Sequence, residues 1–244
     1  MSLKSKKILG ISVTTETKET ILEYIEKYLE KLSEKPFIIV TPNPEQIVFA
    51  QNDKRFLEIL NQADGAIPDG IGLALAMRVK RIPGVEFMED LIRLAAKRGY
   101  GVGLIGGKDG VAVQALECLS RKHSGLKGWA EDPGELPIRP IRPITQSDQL
   151  IIEKIQKTNT RLVFVGLGAP KQEFFIEKLN APVVAMAVGG AFNMIAGRTP
   201  RAPRAIGAFG LEWLWRLVHE PWRFRRQLAL LKFLWLVTRS NARV

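Results

Sequence analysis

Four short segments bring polar side chains and glycines together at spacings that suit ligand binding. Pro68-Asp69-Gly70 places a lone carboxylate after the short apolar run Ala66–Ile67. Pro-Asp-Gly is good turn chemistry, but a carboxylate at a strand end is also a candidate general base. Thr41-Pro42-Asn43-Pro44-Glu45-Gln46 follows the run Phe37–Val40. Its plain reading is a helix start, with Asn43 as N-cap and Pro44 at the first helical position. Thr41 and Asn43 would still present hydrogen-bonding ends beside the strand. Gly166-Leu167-Gly168-Ala169-Pro170-Lys171-Gln172-Glu173 and Gly106-Gly107-Lys108-Asp109-Gly110 are two glycine-rich strand-to-helix connections. Small residues there allow close backbone approach, and a helix N-terminus attracts phosphate. Neither matches G-x-G-x-x-G or a Walker A loop.

These loops matter only if they converge, and the surrounding pattern predicts that they do. Strands are expected at Ile8–Val13, Phe37–Val40, Ala66–Ile67, Gly101–Ile105, 161–165 and 183–188, separated by amphipathic helices. Those helices are expected at 17–33, after Pro44, at 73–80, 86–98, 109–123 and 147–159, and from Lys171. A Pro-rich loop covers 133–143. Alternating strands and helices predict an α/β fold with a mostly parallel sheet covered on both faces. In such a sheet ligands bind beyond the carboxyl ends of the strands, where all four segments fall.

The chain has 244 residues, with 36 Lys+Arg against 25 Asp+Glu and a net charge of +11. That length suits one or two domains. One cysteine, Cys118, excludes an internal disulfide framework and a cysteine-built metal centre. The two histidines, His123 and His219, leave little for a histidine site, and there is no Asp-x-Asp to bridge a metal to a diphosphate. No metal or cofactor is expected.

The positive charge is concentrated. Residues 198–244 hold ten Lys+Arg against two Asp+Glu, and four of the five tryptophans. The expected division is a Rossmann-like core at 1–197 and a basic, aromatic helical appendage at 198–244. Arg198–Gly207 reads as a linker. Leu211, Leu214, Trp215 and Val218 share a helical face, Pro221 breaks the helix, and a second helix is expected at 222–238. Such helices pack on a core or lie on a membrane. Tryptophan and arginine together favour an anionic membrane surface. No run approaches the roughly 20 apolar residues of a spanning helix, and the N-terminal apolar run is too short for a signal peptide. The expected location is cytoplasmic, peripheral on the membrane. Exposed apolar faces also suggest a homo-oligomer. No nucleic-acid recognition motif is present.

Six segments, TPNPEQIVFAQ, ADGAIPDGIGL, GYGVGLIGG, LVFVGLGAPKQE, VGGAFNMIAGRTPRAP and GLEWLWRLVHEPWRFRRQ, together resemble the bacterial WecG/TagA/CpsF glycosyltransferases from about Ile8 to Val237. The resemblance implies a Rossmann-like core with a C-terminal membrane-associating appendage. It implies inverting transfer of N-acetylmannosamine, or a related sugar, from UDP to undecaprenyl-diphosphate-linked N-acetylglucosamine. Carried onto this sequence, the family's catalytic aspartate is Asp69, the Thr and Asn of its TPN motif are Thr41 and Asn43, and the Gln of its APKQE motif is Gln172. Its motif arginine falls on Arg81, and its diphosphate-binding arginines on Arg216, Arg223 and Arg226. The stretch between PDGIGL and Arg81 is shorter than the family pattern, and Glu86 stands where that motif has Asp. The competing reading is a non-catalytic Rossmann-like protein that binds a membrane or polyanion.

Overall fold

Short aliphatic runs form the strands, and amphipathic segments between them form the helices. The structure is a computed structural model that describes residues 3–31, 33–134, 146–200, 203, 212–219 and 224–241. A hairpin of β1 (Ser5–Ile8) and β2 (Ile11–Thr14) opens the chain, followed by α1 (Lys18–Lys31). Next come β3 (Phe37–Val40), α2 (Pro44–Ala50), α3 (Lys54–Gln62), β4 (Gly65–Ala66), α4 (Ile71–Met77) and α5 (Gly84–Arg98). The second half runs β5 (Gly101–Gly106), α6 (Val111–Lys122), β6 (Lys127–Glu131), α7 (Gln146–Lys157), β7 (Thr160–Gly166), α8 (Lys171–Ile176), β8 (Val184–Ala187) and α9 (Ala191–Ile195). Two C-terminal helices, α10 (Glu212–His219) and α11 (Phe224–Asn241), complete the described elements.

Six strands form one sheet in the order β4-β3-β8-β7-β5-β6, and every pairing is parallel. The central strands β7 and β8 come last in sequence. The earlier strands wind outward from them in opposite directions, β3 to β4 and β5 to β6. That is a Rossmann-like arrangement, with a crevice beyond the carboxyl ends of the central strands. Central strands buried on both faces are continuously apolar. Leu162, Val163, Phe164 and Val165 of β7 and Val184–Ala187 of β8 are all buried.

The core falls into clusters on the two faces. One joins α1 and α5 to the sheet through Ile21, Ile25, Phe87, Leu91, Leu104 and Phe164. Another joins α2, α3 and α4 through Ile47, Phe56, Leu60, Leu73 and Met77, and it includes Phe233 of α11. Ala229, Leu230, Phe233, Leu236 and Val237 recur at helical spacing. Phe233 is fully buried, and the other four are half-buried. The inward face of α11 therefore packs on α2 and α4. Gly72 makes room for it, because a Cβ there would lie 2.8 Å from Leu230 Cδ1. The outward face is also apolar: Leu228, Leu231, Leu234 and Trp235 are exposed, as are Leu214 and Val218 on α10.

One local expectation is corrected, and two elements, α3 and β6, add to those expected. Ile8–Val13 is not one strand. Leu9 and Gly10 adopt positive φ and turn the chain into a hairpin outside the main sheet. The helix expected after Pro44 is α2, and a further helix, α3, follows it, capped by Asp53 accepting from Phe56 N. Lys127–Glu131 forms edge strand β6, which the sequence hides because Lys127 and Gly128 are exposed and no alternation results. Much of the Pro-rich loop and most of the 198–207 linker lie outside the described residues.

Candidate functional site

The four segments do converge. The carboxyl ends of β3, β4, β5, β7 and β8 open into a cleft of about 730 Å³. Thr41, Asn43, Asp69, Lys108 and Gln172 line it, together with Gly166–Gly168 and Gly189–Gly190.

On one side of the cleft, Thr41 directly follows β3, with its Oγ1 donating to Ala187 O at 3.2 Å. This bond ties the tip of β3 to β8. Asn43 is the N-cap of α2, with Pro44 in the first turn. Its Oδ1 accepts from Gln46 N at 3.1 Å, and Gln46 Oε1 accepts from Asn43 N at 3.2 Å. This reciprocal capping box fixes the start of α2. Asn43 both caps α2 and lines the cleft.

Asp69 follows β4. Its Oδ1 accepts from Gly84 N, the first residue of α5, at 3.0 Å. Gly84 is wedged between two of the predicted site residues. A Cβ on it would lie 3.3 Å from Thr41 Cγ2 and 3.8 Å from Asp69 Cγ. Thr41 and Asp69 thus flank one glycine, which any side chain would crowd. Arg81 lies beside them, donating from Nε to Asp69 O at 2.6 Å, with Nη2 3.9 Å from Asp69 Oδ1. The Asp69 side chain keeps 37% of its surface accessible.

On the far side, Gln172 lies in the first turn of α8 after the cis peptide Ala169–Pro170. Its Oε1 accepts from Gly189 N at 2.9 Å, and its Nε2 donates to Glu173 Oε1 at 2.8 Å. Glu173 also accepts from Gln46 Nε2 at 3.0 Å. Burial pushes the Glu173 carboxyl up to about 7, against the lowering effect of those hydrogen bonds.

Two features of the site went unread in the sequence. Gln46 and Glu173 were visible only as members of motifs, and their buried contact spans 127 positions. Arg198, read as part of a linker, lines the cleft and is anchored by Nη2 to Asp109 O at 2.7 Å and by Nε to Gln114 Oε1 at 2.8 Å. Lys108, Lys171 and Arg198 give the rim cationic groups, with Asp109 and Asp132 among them. Of the tail arginines, Arg223 lies outside the described residues. Arg216 and Arg226 fall on α10 and α11, and their side chains lie outside the described set. Among the described residues, no group of three or more His, Cys, Asp or Glu is arranged to hold a metal ion. No helix among them is long and apolar enough to cross a membrane.

A parallel α/β sheet with a polar cleft at its carboxyl edge describes many nucleotide- and sugar-handling proteins. The sequence narrows this: residues 6–244 match the glycosyl transferase WecG/TagA/CpsF family, and the chain belongs to that family. It is similar to an N-acetylglucosaminyldiphosphoundecaprenol N-acetyl-beta-D-mannosaminyltransferase from Bacillus subtilis (strain 168), at 28% identity over 242 residues, covering 95% of this chain and 90% of the relative. A protein of the same name from Staphylococcus aureus (strain MW2) is 28% identical over 246 residues, covering 97% and 93%.

Proposed function

We propose that the protein is an inverting glycosyltransferase that moves N-acetylmannosamine, or a related N-acetylated hexose, from UDP to undecaprenyl-diphosphate-linked N-acetylglucosamine, in synthesis of a wall teichoic acid-type polymer. The observation that carries this reading is the placement of Asp69. A partly accessible carboxylate faces the cleft at a strand's carboxyl end, braced by Gly84 N and Arg81 and separated from Thr41 by a glycine alone. Family membership and the printed activity of the relatives supply the substrate class.

In this mechanism the acceptor hydroxyl attacks the anomeric carbon on the face opposite UDP. The new carbon–oxygen bond forms as the bond to the diphosphate breaks with its electron pair, and Asp69 takes the hydroxyl proton. Thr41, Asn43 and Gln172 orient the sugar or the acceptor. The departing diphosphate needs positive charge, and Arg81, Arg216, Arg223 and Arg226 are proposed to supply it.

Residues 198–244 form the appendage in this reading, beyond a catalytic core at 1–197. Its outward apolar residues and the stacking of Arg239 over Trp235, at 5.1 Å, suit the headgroup zone of an anionic bilayer. Attachment there would place the cleft beside a lipid-linked acceptor on the inner face of the cell membrane. The same exposed residues would also serve self-association when no membrane is present.

The test is UDP release from UDP-N-acetylmannosamine, with lipid-diphosphate-N-acetylglucosamine in anionic vesicles. Acceptor-dependent release that collapses in Asp69→Asn supports reaction and base together. A wild type inactive on a panel of UDP-sugars would overturn the reading and favour a binding protein.

A further inference from the structure

Beneath the cleft, a single carboxyl oxygen ties together two loops far apart in sequence. Glu173 is 1% exposed, and its Oε1 accepts from both Gln46 Nε2 and Gln172 Nε2. Each carboxamide is committed at its other end as well. Gln46 Oε1 accepts from Asn43 N, and Gln172 Oε1 accepts from Gly189 N. The linked run Asn43, Gln46, Glu173, Gln172, Gly189 therefore joins the loops that follow β3, β7 and β8.

The residue type fits the task. Two side-chain NH2 groups converge on one point and need a common acceptor, and the carboxyl Oε1 accepts from both, whether the group is ionised or Oε1 is the carbonyl oxygen of the protonated acid. With its NH2 held by Glu173, Gln172 must turn its oxygen toward Gly189, which fixes the amide's orientation at the cleft. The other carboxyl oxygen, Oε2, is buried with no hydrogen-bond partner among the described residues. An orphaned buried polar atom is costly. A position filled only for packing would not favour one.

We propose that Glu173 is a positioning residue, acting through Gln172 and Gln46 to hold the Gln172 amide and the Asn43 end of α2 in register across the cleft without touching substrate. This rests on the reading in which Asn43 and Gln172 orient the sugar or the acceptor.

The test uses the full-length chain. Side-chain amide resonances of Gln46 and Gln172 are recorded by NMR in wild type, Glu173→Leu, Glu173→Gln and Glu173→Asp. Thermal melts, kcat and donor KM are measured alongside, and Glu173→Leu is also combined with Gln172→Ala. In Glu173→Leu both amide signals should move toward free-amide positions. Its kcat should fall about 100-fold, as for a ~1 Å misplacement, with donor KM changed by less than about threefold. Glu173→Gln retains a carbonyl acceptor and should recover most of kcat. Adding Gln172→Ala to Glu173→Leu should cost little more.

Unmoved amide resonances in Glu173→Leu overturn the proposal, as does a loss that multiplies with that of Gln172→Ala. Should Glu173→Leu fail to fold, Glu173→Asp decides. It keeps the carboxyl but withdraws it, so unmoved resonances with full kcat overturn the proposal. The resonances are read without substrate, so a wild type without turnover sinks the glycosyltransferase reading and leaves this test in force.

Discussion

Arg81 and Asp69 are joined through the main chain: Arg81 Nε donates to the Asp69 carbonyl at 2.6 Å, while Nη2 stands 3.9 Å from the Asp69 carboxylate. The short bond fixes where the Asp69 backbone sits, and the longer approach places a cation beside its carboxylate. An arginine fork can do both at once, whereas a lysine offers a single point of charge. Arg81→Lys should therefore behave nearly like Arg81→Ala, with kcat down about 100-fold, the cost of slight misplacement. Steady-state kinetics of the pair check this. Full recovery by lysine would mean that charge alone matters.

Asp69→Asn should lower kcat about 10²–10⁴-fold, the usual contribution of a general base. The asparagine keeps an oxygen to accept from Gly84 N, so the fold should stay intact. UDP release and a thermal melt, measured on the same preparation, separate the two effects.

Phe233 and Trp235 lie on opposite faces of α11, the first fully buried and the second 54% exposed. Phe233→Ala should cost about 3–5 kcal/mol of stability, as truncation of a buried aromatic does. Trp235→Ser should leave the melting temperature almost unchanged and weaken binding to anionic vesicles in a flotation assay. Vesicle binding unaffected by Trp235→Ser would remove the outward face of α11 from the membrane contact.

Glu173 should also shape the pH dependence of stability. Its folded-state pKa is raised by burial from 4.5 to about 7. The folded protein thus holds a proton that the unfolded chain has released between those values. Stability is greatest below about pH 4.5 as far as this group is concerned, and it falls as pH rises to about 7. The full effect is on the order of 3 kcal/mol. Denaturant melts from pH 4.5 to 8 should show this slope in wild type and lose it in Glu173→Gln, which cannot ionise.

The sequence by itself determined the class of fold and which strand-end segments meet at the cleft. Apolar runs followed by glycine-rich or Pro-Asn-Pro turns must become strands that enter helices, and parallel strands must bring their carboxyl ends to one edge. Thr41, Asn43 and Asp69 were legible as candidates for that reason: each sits in the first few positions after a strand, where local chemistry marks the turn, whereas Gln172 was singled out only through the resemblance of its motif. Tertiary structure alone decided what crosses between distant segments. The bridge from Gln46 to Glu173 spans 127 positions, and nothing local to either residue announces it. The stretch from Asp69 to Arg81, which contains α4, folds back on itself because Ile82 N donates to Pro68 O and Gly84 N to the Asp69 carboxylate. The two faces of α11 were equally opaque. Both are apolar, so periodicity could not say which one meets the core. Gly72 and the pocket that receives Phe233 made that choice.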